Sequence, residues 1–280
     1  MDILITNDDG INAKGIKVLA ETMRQFGRVT VIAPKTHQSG MSMALSMGLK
    51  PIAYKKVSEQ DGISWSYLDA TPASCVKFGI GRIFTDKLPD VVVSGINHGS
   101  NAASASCYSG TLGAAEEAAL NGIPAIGVSL DCFSQNADFS AVKELFPDIF
   151  RKLMSNLPEK YGIFYNINFP DIPKDKIKGI KVGYQGKGKW IREFREWDKS
   201  FFEEKNLSPE MFGNSSRIQA EEGEEIYVMV GEFVDDKRNT SEADHRIMGD
   251  GYISIVAHNL DTTDYDECDK LRKSGFNITL

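Results

Sequence analysis

The stretch Ile3-Leu4-Ile5-Thr6-Asn7-Asp8-Asp9-Gly10 opens the chain and decides how the rest is read. Its apolar start predicts a buried strand, and Asp-Asp-Gly predicts the turn that ends it. The two acids then stand at the carboxyl end of a first strand. In open α/β sheets the ligand crevice lies outside those strand ends. Two adjacent anions repel unless one takes a proton or a cation sits between them. A metal site and a plain solvated Asp-Gly turn are both open at this point.

Outward from that strand, extended and helical runs alternate. Residues 2–6 read as strand, 13–25 as helix, and 29–33 as strand ending at Pro34. Residues 90–94 form a compact strand that leads through a Gly/Ser/Asn-rich loop into an alanine-rich helix at 112–121. Gly122-Ile123-Pro124 stops that helix. A strand at 125–130, a helix at 139–154 and a strand at 163–169 follow. Such alternation implies βαβ units, a parallel sheet and right-handed crossovers.

The expected fold class is therefore α/β, a Rossmann-like three-layer core with a mostly parallel sheet over residues 1–180. A β-rich insertion is expected at 181–238, with a strand at 224–233. The extended C-terminal segment, 239–280, should hold a return strand at 252–257 and a short helix at 267–274. Within the insertion, Gly183-Tyr-Gln-Gly-Lys-Gly-Lys189 lacks the G-x-x-x-x-G-K-[ST] spacing of a phosphate loop. It reads as a solvated hairpin tip.

Composition narrows the function classes. With 41% apolar and 25% charged residues the chain is globular rather than disordered. A net charge of −7 disfavours a nucleic acid polymer as partner, since binding a phosphate backbone wants clustered Lys and Arg. Cys75, Cys107, Cys132 and Cys268 include no C-x-x-C pair, so zinc-knuckle and thioredoxin readings lack support. No apolar run approaches the about 18 residues of a membrane span, and no basic n-region precedes the first strand. The expectation is a soluble, cytoplasmic protein with no membrane partner.

Oxygen ligands converge on one predicted rim. The second strand runs into Lys35-Thr36-His37-Gln38-Ser39-Gly40, and the 90–94 strand into Gly95-Ile96-Asn97-His98-Gly99-Ser100-Asn101. In a parallel sheet both loops emerge beside Asp8 and Asp9. Carboxylate, hydroxyl and amide oxygens without thiolates or paired histidines suit Mg²⁺, Mn²⁺ or Ca²⁺ rather than zinc. Tyr108-Ser109-Gly110-Thr111 precedes the alanine-rich helix, where small hydroxyl residues cap orphan N–H groups. The same helix start can also receive an oxyanion. A divalent ion beside an oxyanion cradle is equipment for phosphoryl hydrolysis.

These segments together resemble the SurE family, the survival-protein 5′/3′-nucleotidases, which are metal-dependent acid phosphatases. The matching motifs are Thr-Asn-Asp-Asp-Gly-Ile within residues 5–11, Ala-Pro with Ser-Gly within 33–40, and Ser-Gly-Ile-Asn-x-Gly-x-Asn at 94–101. Tyr-Ser-Gly-Thr at 108–111, Asn-x-Asn-x-Pro at 166–170 and Gly-Tyr-x-Ser at 251–254 complete the set. The resemblance implies one divalent ion per subunit, Mg²⁺ or Mn²⁺ (with Ca²⁺ as a stand-in in a crystal), held by Asp8, Asp9, Ser39 and Asn97. It also implies that Asn101 and Ser109, with the nearby N–H groups of Gly110 and Thr111, hold the phosphate of a nucleoside monophosphate. A homodimer or homotetramer exchanging C-terminal segments follows in the same way. Departures fall at Ala70, Ser74, Lys35, Thr36 and Gln38, and at Val256-Ala257-His258 in place of Thr-Pro-Leu. None touches the expected metal set.

Asp8, Asp9 and Asn97 are the expected catalytic residues, and His98 is a further candidate for acid–base or phosphate contact. Two rivals stand beside the metal phosphatase. A haloacid-dehalogenase-type enzyme also opens with strand, acid and glycine, but its nucleophile would fall on Asn7, and an amide cannot form an aspartyl-phosphate. A nucleotide-binding module without turnover would carry the same sheet and loops.

Overall fold

Ile3, Leu4 and Ile5 have no exposed surface, so the opening run is buried on both faces, as strands of a covered parallel sheet are. The computed structural model describes residues 1–48, 51–134, 136–197 and 221–279. In chain order its elements begin β1 (Asp2–Thr6), α1 (Lys14–Met23), β2 (Arg28–Pro34), β3 (Tyr54–Gln60), β4 (Ile63–Leu68), α2 (Pro72–Phe78) and β5 (Val91–His98). They continue with α3 (Gly110–Leu120), β6 (Ala125–Leu130), α4 (Ser140–Met154), β7 (Ile163–Phe169), β8 (Ile180–Val182), β9 (Gly188–Ile191) and β10 (Phe194–Glu196). The last are β11 (Tyr227–Met229), β12 (Glu232–Asp235), α5 (Asp244–Gly249), β13 (Ile253–Asn259) and α6 (Tyr265–Lys273).

Nine of these strands form one sheet in the order β3-β4-β2-β1-β5-β6-β7-β13-β8. The six from β4 to β7 run parallel, while β3 and β13 are antiparallel to their neighbours β4 and β7. Alternation along β1 assigns the layers. Ile3 and Ile5 pack with Ile16 and Leu19 of α1 and with Phe146 and Phe150 of α4. Leu4 points the other way, into a cluster with Val76 of α2 and Leu112 and Ala115 of α3. Helices thus cover both faces, and the three-layer α/β core is as expected. Among the described residues no helix is long and apolar enough to cross a membrane.

Several boundaries differ from the sequence reading. The β3–β4 hairpin has no counterpart in it, because β3 is exposed along nearly its whole length and carries no apolar alternation. The expected strand at 224–233 is two short strands, β11 and β12, pairing with β10 and β9 in separate two-stranded sheets. The insertion begins past β8, which pairs in parallel with β13 at the edge of the main sheet. Residues 198–220 of the expected insertion lie outside the described residues. The return strand β13 and the terminal helix α6 are present, and α6 buries none of its side chains.

Candidate active site

Four connections meet at the carboxyl rim of the parallel strands. The first turn, after β1, is locked by Asn7: its Nδ2 donates to the Gly10 carbonyl (3.0 Å), and Gly10 N–H donates back to its Oδ1 (3.2 Å). Gly10 has φ +95°, and a Cβ there would meet the Thr36 carbonyl carbon at 3.2 Å. The turn therefore closes against the loop after β2, and Gln38 N–H completes the join by donating to the Asp8 carbonyl (2.7 Å). Both polar ends of Asn7 are consumed structurally, which fits no nucleophilic role.

Asp8 is buried at 3% exposure and faces a cavity of about 410 Å³, which Ser39, Asn97, His98, Asn101 and Ser109 also line. Its Oδ1 accepts from Thr111 Oγ1 at 2.6 Å. Burial pushes the Asp8 carboxyl up, against which the Thr111 hydroxyl and the N–H groups of Gly110 and Thr111 pull down. Gly110 lies so close that a Cβ would come within 2.9 Å of Asp8 Cβ. The start of α3 thus cradles Asp8. Gly110 and Thr111, expected around the phosphate, take this carboxylate as partner instead and do not line the cavity.

Asp9 lies behind Asp8. Its Oδ2 accepts from the His98 backbone N–H (3.2 Å), and its Oδ1 is 3.6 Å from His37 Nδ1. Burial first and the Asp8 charge second hold its carboxyl well above the usual range. Among the described residues neither acid has a Lys or Arg partner, so the pair presents the electrostatic problem that a cation solves. Among the described residues no three His, Cys, Asp or Glu side chains gather as a metal site. Any ion here rests on two carboxylates plus hydroxyl and amide oxygens.

Asn97 and His98 arrive through a slip in the β5–β6 ladder between Ser94 and Asn97, a local irregularity of the kind that re-aims side chains beside active sites. Asn97 Nδ2 donates to the Gly99 carbonyl (2.8 Å), which leaves its Oδ1 free to accept or to ligate. His98 Nδ1 lies 3.1 Å from the Ser134 carbonyl and donates to it, so the neutral ring carries its lone pair on Nε2. Burial lowers the His98 pKa and favours that neutral form.

Ser109 is the N-cap of α3, its Oγ accepting from Leu112 N–H (3.0 Å). Capping uses an oxygen lone pair only, so the hydroxyl proton remains available to an anion. Asn101 is fixed by groups whose role the sequence did not reveal. Its N–H donates to Asn168 Oδ1 (2.8 Å), its carbonyl accepts from Asn166 Nδ2 (2.8 Å), and its own Nδ2 donates to Ser129 Oγ (2.8 Å). Asp244, with no exposed surface, accepts from the N–H groups of Ala103 and Gly186 and so ties the loop before α3 to the inserted lobe. That lobe lends Trp190 and Phe233 to the cavity wall. The Gly183–Lys189 run, expected as a solvated tip, leads directly into this wall. Its glycines were legible, but the surface they pack against is remote in sequence.

Comparison with known proteins agrees with this geometry. The family model described as "Survival protein SurE" matches residues 3–192. A 5′-nucleotidase SurE of Christiangramia forsetii is 39% identical over 93% of this chain and 92% of its own length. One from Flavobacterium johnsoniae is 36% identical over 98% and 97%. The crystal structure of the SurE protein from Aquifex aeolicus superposes with a TM-score of 0.75 at 29% identity, covering 97% of this chain and 98% of that one. A rim of buried oxygen donors, a capped helix start and matches along nearly the whole length lead to one assignment: the chain belongs to the SurE family and is an enzyme of the phosphatase–nucleotidase class.

Proposed function

We propose that the protein is a divalent-metal-dependent phosphomonoesterase that hydrolyses nucleoside 5′-monophosphates, and 3′-monophosphates as a secondary substrate, to nucleoside and phosphate. The observation that carries this reading is the Asp8–Asp9 pair: two adjacent carboxyls, each raised by burial, of which Asp8 lines a cavity that also exposes neutral oxygen donors. Asp8, Asp9, Ser39 and the Oδ1 of Asn97 would hold the ion, and hard oxygens of this kind favour Mg²⁺ or Mn²⁺. A bound divalent ion supplies positive charge that polarises the phosphoryl oxygens and acidifies the attacking water.

The chain's own groups supply the rest. Ser109 Oγ–H and the second amide proton of Asn101 Nδ2 donate to the phosphoryl oxygens, where charge grows during displacement. Asn166 and Asn168 hold Asn101 in place from both sides of its backbone. His98 lines the cavity with its Nδ1 engaged by Ser134, and its Nε2 would be the proton acceptor for the water. Thr111 and the first N–H groups of α3 keep the Asp8 oxygens in one orientation.

The test is release of inorganic phosphate from adenosine 5′-monophosphate with Mg²⁺ or Mn²⁺, repeated after EDTA. Turnover that EDTA abolishes and added metal restores is expected. Binding of the nucleotide without turnover under every metal would instead identify a binding module. A homodimer or homotetramer, with the unburied α6 segment exchanged between subunits, belongs to the same proposal.

A further inference from the structure

The cavity has two chemically unlike ends. Asp8, Ser39, Asn97 and Ser109 are polar, while the inserted lobe contributes Trp190 and Phe233. These two residues are direct cross-strand partners in the β9–β12 ladder, so their side chains share one face of that hairpin. Their ring centroids lie 5.7 Å apart at an interplanar angle of 63°.

The rings occupy room that glycines leave open. A Cβ on Gly188 would stand 2.3 Å from the Phe233 ring, and one on Gly231 would stand 3.1 Å from the Trp190 ring. Phe233 is held further by His245, whose ring sits edge-on at 5.4 Å. His245 Nε2 is in turn 2.9 Å from Asp235 Oδ1, and Arg246 binds the other oxygen of the same carboxylate at 2.7 Å. A half-buried tryptophan on a surface hairpin is ordinary. Two rings seated on glycines, braced by a histidine, and lining the same cavity as Asp8 constitute a built apolar wall.

Resting on the proposed nucleotidase reading, we infer that Trp190 and Phe233 form the platform on which the substrate's nucleobase stacks while its phosphate sits at the acid pair. Stacking uses the π-face that every base has, so this platform accepts all bases and favours the larger purine ring. The cavity volume of about 410 Å³ falls within the range of sites that enclose a small ligand. Trp190 and Phe233 are specificity-determining residues: they touch the leaving nucleoside, not the reacting atoms.

The experiment compares kcat/KM for adenosine 5′-monophosphate with kcat/KM for ribose 5-phosphate, the same ester type without a base. Trp190→Ala should lower the ratio of the two about tenfold, and Trp190→Phe should restore most of it. The purine-over-pyrimidine preference should shrink in the same variant. An unchanged ratio in folded Trp190→Ala overturns the platform, whether or not overall activity falls. Wild-type protein that hydrolyses neither ester would refute the nucleotidase reading instead. A second measurement covers that case and any misfolding of the alanine variant. Adenosine should quench tryptophan fluorescence in the wild type, and Trp190→Phe should lose most of that quenching while Trp65 and Trp197 remain. Equal quenching in both proteins also overturns it.

Discussion

The two ends of the cavity are held by different means. At the acid end, groups of the main core fix most of the functional residues: the Asp8 side chain by Thr111, the Asn97 side chain by Gly99, and Asn101 by Ser129 at its side chain and by Asn166 and Asn168 at its backbone. At the aromatic end, Trp190 and Phe233 ride on a two-stranded hairpin outside the nine-stranded sheet. Reaction chemistry tolerates little displacement, so it belongs on rigid elements with supporting hydrogen bonds. Stacking on a ring face tolerates more, so it can be carried by an appended lobe. The contrast implies that variants of the rim change the rate, and variants of the lobe change discrimination among esters.

Asp9→Asn is the strongest way to break that division. The amide is nearly isosteric and relieves the like-charge crowding with Asp8, so the metal-free protein should melt no lower than wild type. Its kcat should fall by about three orders of magnitude, since a charged ligand of the proposed ion is lost. Retention of most of the rate under saturating Mn²⁺ would remove the acid pair from the chemistry and leave the core rim without its defining function.

Asp244 is where the two regions join, and Asp244→Ala probes the join. The buried carboxylate accepts from the N–H groups of Ala103 (2.9 Å), Gly186 (2.9 Å) and His245 (2.8 Å). Truncation orphans these donors, and each unsatisfied buried group costs roughly 1–3 kcal/mol. A loss of about 3 kcal/mol in denaturant unfolding is expected. Both kcat and the nucleotide-to-ribose-phosphate ratio should drop together. Loss of only one would show that the lobe and the rim are mounted independently.

How much of this could be read from the chain divides along the same line. Ile3, Leu4 and Ile5 announce a buried strand by composition alone, and the acids that follow mark its functional end. The parallel order then brings Ser39, Asn97, Asn101 and Ser109 to the same rim as Asp8. Local signals carry that inference because each motif sits directly after its own strand. Asn166 and Asn168 were visible as a motif but not as supports, since their partner lies some 65 residues away in sequence. The platform was invisible for a related reason. Gly188 and Gly231 matter only through the rings packed on them, and that packing requires the β9–β12 register. The exposed edge strand β3 failed differently, because Lys55-Lys56 and Glu59-Gln60 leave no period to detect.

Ser109 offers the finest test, because two roles share one oxygen. As N-cap it accepts from Leu112 N–H, and in the proposed phosphate role it would donate its proton. Ser109→Ala loses both, costing about 1 kcal/mol of stability together with substrate affinity. Ser109→Asp keeps a cap acceptor but has no proton to give, and it adds charge beside the cavity. A third carboxylate buried near Asp8 and Asp9 offsets the regained cap, so this variant's stability should stay below that of wild type. Its KM for adenosine 5′-monophosphate should rise above that of the alanine variant. Since neither substitution touches the hairpin, the nucleotide-to-ribose-phosphate ratio should hold in both. A ratio that moved with Ser109 would mean that the phosphate end and the base end of the cavity are coupled, and that the division between them is one of construction rather than of function.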